Sequence, residues 1–227
     1  MSGTAEDAKK VGLRSETVAP EPDVVSLIDA VQRYLGGFAD PRISPFLAAW
    51  PAKPFAIRRS KRRRLPVLSH LPGLSAETHP AAEPVVRRLE AAMVHLDWDQ
   101  TYSEIEVAPG FLANYGWTEL IGLRGAAASS RIACGFLLLG PHIEYPRHCH
   151  EAEEIYVSLS PGAFWVRGDE PWRQWPIGAP IHHRTWMSHG IRTGAVPMLA
   201  LYIWRGGNLA QKSYFDAVEQ KMQGPWK

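Results

Sequence analysis

Cysteine is scarce in this 227-residue chain: it has two, Cys134 and Cys149. Two cannot staple a small disulfide scaffold. Long apolar runs are missing too, and none approaches the roughly 18 residues of a membrane span. Charge of one sign is also lacking. Lys and Arg number 25, Asp and Glu 23, for a net charge of +2, which argues neither for nor against nucleic acid. The opening residues Met1 to Lys10 carry no apolar leader. These absences leave a soluble cytoplasmic protein as the expectation. With 45% hydrophobic residues, the chain can bury one sizeable core and an accessory segment.

What the chain has in plenty is aromatics and clustered histidine. There are nine tryptophans and seven tyrosines. Six of the nine histidines fall between His142 and His189, so a site is expected there. His148 and His150 are one residue apart, and in an extended strand residues i and i+2 face the same way. Glu154 and Tyr156 share a face by the same rule. A barrel can bring His189 back to this point. Three imidazoles and a carboxylate suit one divalent transition metal, with Fe2+, Mn2+, Zn2+, Co2+ and Ni2+ all compatible. Cys149 alternates away from the histidines, and Cys134 reads as core. His182 and His183 read as a strand-end pair with hydrogen bonds, or as supports for the ligands.

Along the chain, residues 1–20 lack periodicity and read as a mobile tail. A helix begins at Asp23, with Val24, Leu27, Ile28, Val31, Tyr34 and Leu35 on one stripe and Gly36-Gly37 as its stop. A weaker helical piece covers Pro45 to Trp50. Residues 51–80 are proline-rich and carry the basic run Arg58 to Arg64. No aromatics interleave those charges, so the run reads as a connecting loop or a patch docked on acidic surface, and nucleic acid is not an expected partner. A second helix spans Pro80 to Leu96, through Val85, Val86, Leu89, Ala92, Met93 and Leu96. Both helices could cover a β domain or form a dimer contact.

After Asp99 the pattern changes to short strands. Expected strands are Ile105–Val107, Thr118–Leu123, Ile132–Leu139, Ile155–Leu159, Ala163–Arg167, Trp172–Gln174, Ile181–His182, His189–Arg192 and Met198–Trp204. Strands at this spacing suggest an antiparallel sandwich or barrel. The expected division is 1–20 tail, 21–99 helical extension, 100–207 barrel and 208–227 C-terminal segment, the last with an amphipathic piece at Tyr214, Phe215 and Val218.

His148-x-His150-x3-Glu154 followed by Gly162 resembles the first motif of the cupin superfamily, with longer glycine gaps than usual. Pro176-Ile177-Gly178 followed by His189 resembles the second. His182 and His183 lie nearer to Gly178, but His189 is preferred as the last ligand. Within the superfamily, Tyr145-Pro-Arg-His-Cys-His150, Ala152-Glu-Glu-Ile-Tyr156, His183-x-x-Trp186-x-x-His189 and Leu199 to Gly206 resemble the cupin-type dimethylsulfoniopropionate (DMSP) lyases. Chain length and the N-terminal extension are most like the DddL-type members.

The resemblance implies a mainly β fold, a cupin jelly-roll barrel with an N-terminal helical extension, and commonly a homodimer. It implies one metal ion held by His148, His150, Glu154 and His189. It implies elimination of DMSP to dimethyl sulfide and acrylate, with Tyr156 as the base and Tyr145 orienting substrate. A sulfonium is attracted to aromatic faces, and Trp165, Trp186, Tyr202 and Trp204 are candidates for that wall. Two alternatives stay open: another metal-dependent cupin enzyme, a dioxygenase or isomerase, or a non-catalytic small-molecule-binding cupin.

Overall fold

The structure is a computed structural model that describes residues 22–58, 60 and 63–216. The tail expected over 1–20 lies outside the described residues, as do Arg59, Lys61, Arg62 and Val218.

Three helices come first: α1 (Pro22–Gly36), α2 (Ser44–Leu47) and α3 (Glu83–Ala92). The apolar stripe of α1 is wholly buried at Val24, Leu27, Ile28, Val31 and Leu35. Each such side chain contributes about 1.5–3 kcal/mol relative to exposure. Gly37 ends the helix, its N–H donating to the carbonyls of Arg33 and Tyr34 at 3.1 Å. Helix α3 starts with a proline in its first turn, where an N–H is not needed. It packs on α1 through its buried Val85, Val86, Leu89 and Ala92, and Arg88 Nε donates to Ser26 Oγ at 3.0 Å.

Twelve strands follow: β1 (Trp98–Asp99), β2 (Tyr115–Gly122), β3 (Ala127–Ala128), β4 (Ile132–Leu139), β5 (Glu144–Cys149), β6 (Glu153–Ser158), β7 (Ala163–Arg167), β8 (Arg173–Gln174), β9 (Pro180–His183), β10 (His189–Thr193), β11 (Met198–Arg205) and β12 (Tyr214–Phe215). They form two sheets. One runs β1-β2-β4-β11-β6-β9 with β3 beside β2, and the other runs β12-β5-β10-β7-β8. From β4 to β11 the chain passes repeatedly between the sheets and winds them into a jelly roll.

Strands β4 and β11 read as almost unbroken apolar runs because the first sheet is covered on both faces. Outward, Ile132, Cys134, Phe136, Leu138, Leu199, Leu201 and Ile203 join α1 and α3 in one core. Inward, Ala133, Leu137, Leu139, Met198, Ala200 and Tyr202 join Tyr145, Trp165 and Ile191 of the second sheet in another. Gly135 is small because β2 passes close by, and a methyl there would run into the Thr118 carbonyl oxygen. The helices cover the outer face of the first sheet.

One expectation fails locally. Ile105–Val107 is no strand. Ser103 N and Oγ both donate to Glu106 Oε2, at 2.9 and 2.7 Å, closing a turn that leaves Ile105 96% exposed. In the basic run, Arg58 and Arg63 make contacts within the chain, as the docked-patch reading expects. Arg58 Nη1 donates to the carbonyls of Leu123 and Gly125, and Arg63 pairs with Asp99 at 2.5 Å.

Candidate metal centre and active site

Register brings the six site residues together between the sheets. On the first sheet, Glu154 of β6 lies between His183 of β9 and Trp204 of β11. On the second, His189 of β10 lies opposite His148 of β5. His150 follows directly after β5. All of these except Trp204, which is partly buried, are buried.

The three expected histidine ligands are each fixed in one tautomer. His148 Nδ1 meets the Pro146 carbonyl at 2.8 Å, His150 Nδ1 the Ala152 carbonyl at 2.9 Å, and His189 Nδ1 the Met187 carbonyl at 2.8 Å. A carbonyl only accepts, so each Nδ1 carries a proton, and in the neutral ring each Nε2 presents a lone pair. Yet His150 Nε2 and His189 Nε2 both lie 3.1 Å from the same carboxylate oxygen, Glu154 Oε2. Lone pairs facing a carboxylate oxygen repel unless a cation sits among them. His148, His150 and His189 offer ligand atoms within 4.8 Å of one another, and so do Glu154, His183 and His189. The donor set therefore fits a divalent transition metal. Glu154 is held from the other side, where Trp204 Nε1–H donates to Oε1 at 2.5 Å while the indole stacks on His150, with centroids 4.0 Å apart.

The two tyrosines flank the donors. Tyr156 shares the inner face of β6 with Glu154, 5.8 Å from the His183 ring and 6.3 Å from that of His189. Tyr145 stacks on His148, centroids 4.1 Å apart. It is three residues from His148, and strict alternation would send it to the opposite face. A bulge corrects this: Ile191 pairs with Tyr145 and His189 with His148, so Gly190 faces both Pro146 and Arg147. The extra residue returns Tyr145 to the inner face. Its hydroxyl lies 2.9 Å from that of Tyr102. Burial pushes the phenols of Tyr145 and Tyr156 well above their ordinary 10, and the Glu154 carboxylate adds to the effect on Tyr156. Burial also lowers the imidazoles, His148 well below 6.5 and His183 to about 3.

A cavity of about 280 Å³ opens beside these residues, lined by Tyr145, Tyr156, Tyr202 and Trp204 together with Tyr115, Trp117, Glu119 and Arg124. Two residues expected on its aromatic wall are elsewhere. Trp165 pairs with Ile191 and fills the core behind Tyr156. Trp186 has a left-handed backbone, φ 60°, which throws its ring outward; it is 51% exposed and faces Tyr214. What Trp186 gives the site is its backbone N–H, bonded to the His150 carbonyl at 2.8 Å.

Sequence reasoning missed Trp117 and Glu119, although they follow Tyr115 at i+2 and i+4 on one face of β2. It also missed Tyr102, which lies in a loop with no pattern. His182 and His183, read as a pair, separate. His182 Nε2 meets Glu153 Oε1 at 2.7 Å, while His183 turns inward.

Known proteins agree with this architecture. DddL of Cereibacter sphaeroides, provisionally named a dimethylsulfoniopropionate lyase, is 32% identical over 62% of this chain and 60% of its own length. The dimethylsulfoniopropionate lyase DddQ of Ruegeria pomeroyi is 34% identical over 51% of this chain and 58% of its own. The chain thus spans about three fifths of these curated relatives. Among solved structures, a chain from the crystal structures of the DMSP lyases RdDddP and RnDddQII superposes with a TM-score of 0.74 at 28% identity, covering 86% of this chain and 97% of its own. DMSP lyase DddQ from Ruegeria pomeroyi gives 0.73 at 25% identity with the same coverage. The family model for dimethylsulfoniopropionate lyase matches residues 47–200, and the chain belongs to that DMSP lyase family.

Proposed function

We propose that this protein eliminates dimethyl sulfide from DMSP, leaving acrylate, at a single divalent metal site. The observation that carries the reading is the position of Tyr156, which lines the cavity while sharing one strand face with the buried Glu154 of the donor cluster. His148, His150, Glu154 and His189 would hold the ion. When bound, it supplies Lewis acidity toward a carboxylate and positive charge that favours phenolate over phenol.

Tyr156 Oη, as phenolate, takes the α proton of the substrate. The Cα–H electron pair becomes the new C=C bond as the β carbon–sulfur bond breaks, and the sulfur leaves as neutral dimethyl sulfide. The leaving group needs no proton, so no general acid is required. Without the cation, burial and Glu154 keep the proton on Tyr156, so its basicity depends on the loaded site. Tyr145, held by Tyr102 and stacked on His148, orients substrate. Tyr202 and Trp204 present aromatic surface to the sulfonium, at about 0.5–2 kcal/mol for each well-placed ring.

A cytoplasmic homodimer accompanies this reading. The buried faces of α1 and α3 are already used on the first sheet, so a dimer would pair through another surface. Among the described residues no helix is long and apolar enough to cross a membrane. The test is headspace gas analysis of purified protein given DMSP, with and without chelator and under anaerobic conditions. Dimethyl sulfide released without oxygen and suppressed by chelator is expected. No release in either condition overturns the proposal.

A further inference from the structure

His183 is buried inside the cluster, yet the four-donor site leaves it without a task. Its neighbour His182 faces outward and pairs with Glu153, so strand alternation forces His183 in. There it lies across the strand from Glu154, with Nδ1 3.7 Å from Glu154 Oε2. Its ring stacks on His189, centroids 4.1 Å apart and planes within 12° of parallel. Neither ring nitrogen has a hydrogen-bond partner among the described residues. Buried polar atoms are nearly always satisfied, and exceptions call for an unseen water, ion or functional role. The other three imidazoles each tie Nδ1 to a backbone carbonyl; His183 has no such tether, and both of its nitrogens can turn toward a ligand.

We propose that His183 is a further metal-binding residue, so that the chain offers a divalent ion four imidazoles and one carboxylate. Glu154, His183 and His189 form a second donor triad that shares His189 with the first. A ring kept only for packing would be replaceable by a carbon ring of similar shape, and nothing in its surroundings would need a nitrogen. Here the surroundings are a carboxylate oxygen and the face of a ligand imidazole. A set this rich in nitrogen favours the later first-row metals over Mg2+ or Ca2+. The inference rests on the metal reading of the cluster and is independent of the substrate.

The test uses the full chain, stripped of metal and titrated with Co(II), whose visible d–d bands report the donor set. His183→Ala is expected to weaken Co(II) binding about tenfold or more and to change the d–d spectrum. His182→Ala, altered outside the cluster, should do neither. Proton NMR of Co(II)-loaded wild type gives a second readout that needs no variant. Shifted, exchangeable ring N–H signals should number four, one for each bound imidazole. Three signals, or a His183→Ala protein with unchanged affinity and spectrum, overturn the role of His183 and leave the metal site standing. Failure of the wild type to bind Co(II) at all overturns both.

Discussion

On the proposed reading, Tyr156 decides what the donor cluster can do, because a metal held by histidines and a carboxylate would serve many chemistries. Tyr156→Phe should lower kcat by about 10²–10⁴ with metal content near normal, read by headspace assay beside metal analysis. Retained turnover would mean that another group takes the α proton. At this scale much of the site was legible. His148, His150, Glu154 and Tyr156 follow the two-residue period of a strand, and the period needs only an extended chain. Tyr145 was not legible on the same grounds. Its inward aim depends on the bulge at Pro146-Arg147, which leaves no mark in residue type beyond a proline within the strand. His182 and His183 look alike in sequence, and only the direction of β9 sends one out to Glu153 and turns the other in toward Glu154. Trp186 shows the opposite error. It is three residues from His189, but a single left-handed backbone angle carries its ring to the surface.

Among the elements, β4 and β11 carry two cores at once, and α1 and α3 close the outer one. Leu89→Ala on α3 removes a wholly buried side chain and should cost about 2–5 kcal/mol, measured by urea unfolding. A cost under about 1 kcal/mol would show the helix layer to be loosely packed. The long elements were readable because repetition accumulates. The stripe of α1 covers several turns, and the runs of β4 and β11 are unbroken. Most of the short ones were not, although β8 falls within the expected Trp172–Gln174. β1, β3 and β12 have two residues each, too few to show alternation. Residues 105–107 imitated a strand because turn closure by Ser103 and Glu106 depends on side chains rather than on hydrophobic pattern. Strand β5 was hidden by its own bulge.

Across the whole molecule, the candidate donors come from both sheets, so an ion bound there would join the two layers. At an ion concentration about 100 times its Kd the gain is about 2.7 kcal/mol, or roughly 5–10 °C in Tm for a chain of this size. Differential scanning calorimetry with and without chelator measures it, and equal Tm values would show that the sheets need no ion. The metal-free protein should also be acid-labile. Burial holds His183 at about 3 and His148 well below 6.5 when folded, whereas the unfolded chain takes up these protons near pH 6.5. Between about pH 6.5 and 3 the unfolded state therefore binds more protons, and stability falls as pH falls. The chelated protein should melt lower at pH 5 than at pH 7.5, and His183→Gln should reduce the difference. A Tm independent of pH would contradict the buried neutral imidazoles. The double coverage of the first sheet also sets the smallest unit worth expressing. Cutting the chain to residues 100–207 would strip the helices from Ile132, Phe136, Leu138, Leu199, Leu201 and Ile203. That greasy wall would draw trimmed molecules together in solution. A minimal chain built on this frame must keep its helices, or have that face redesigned to meet water.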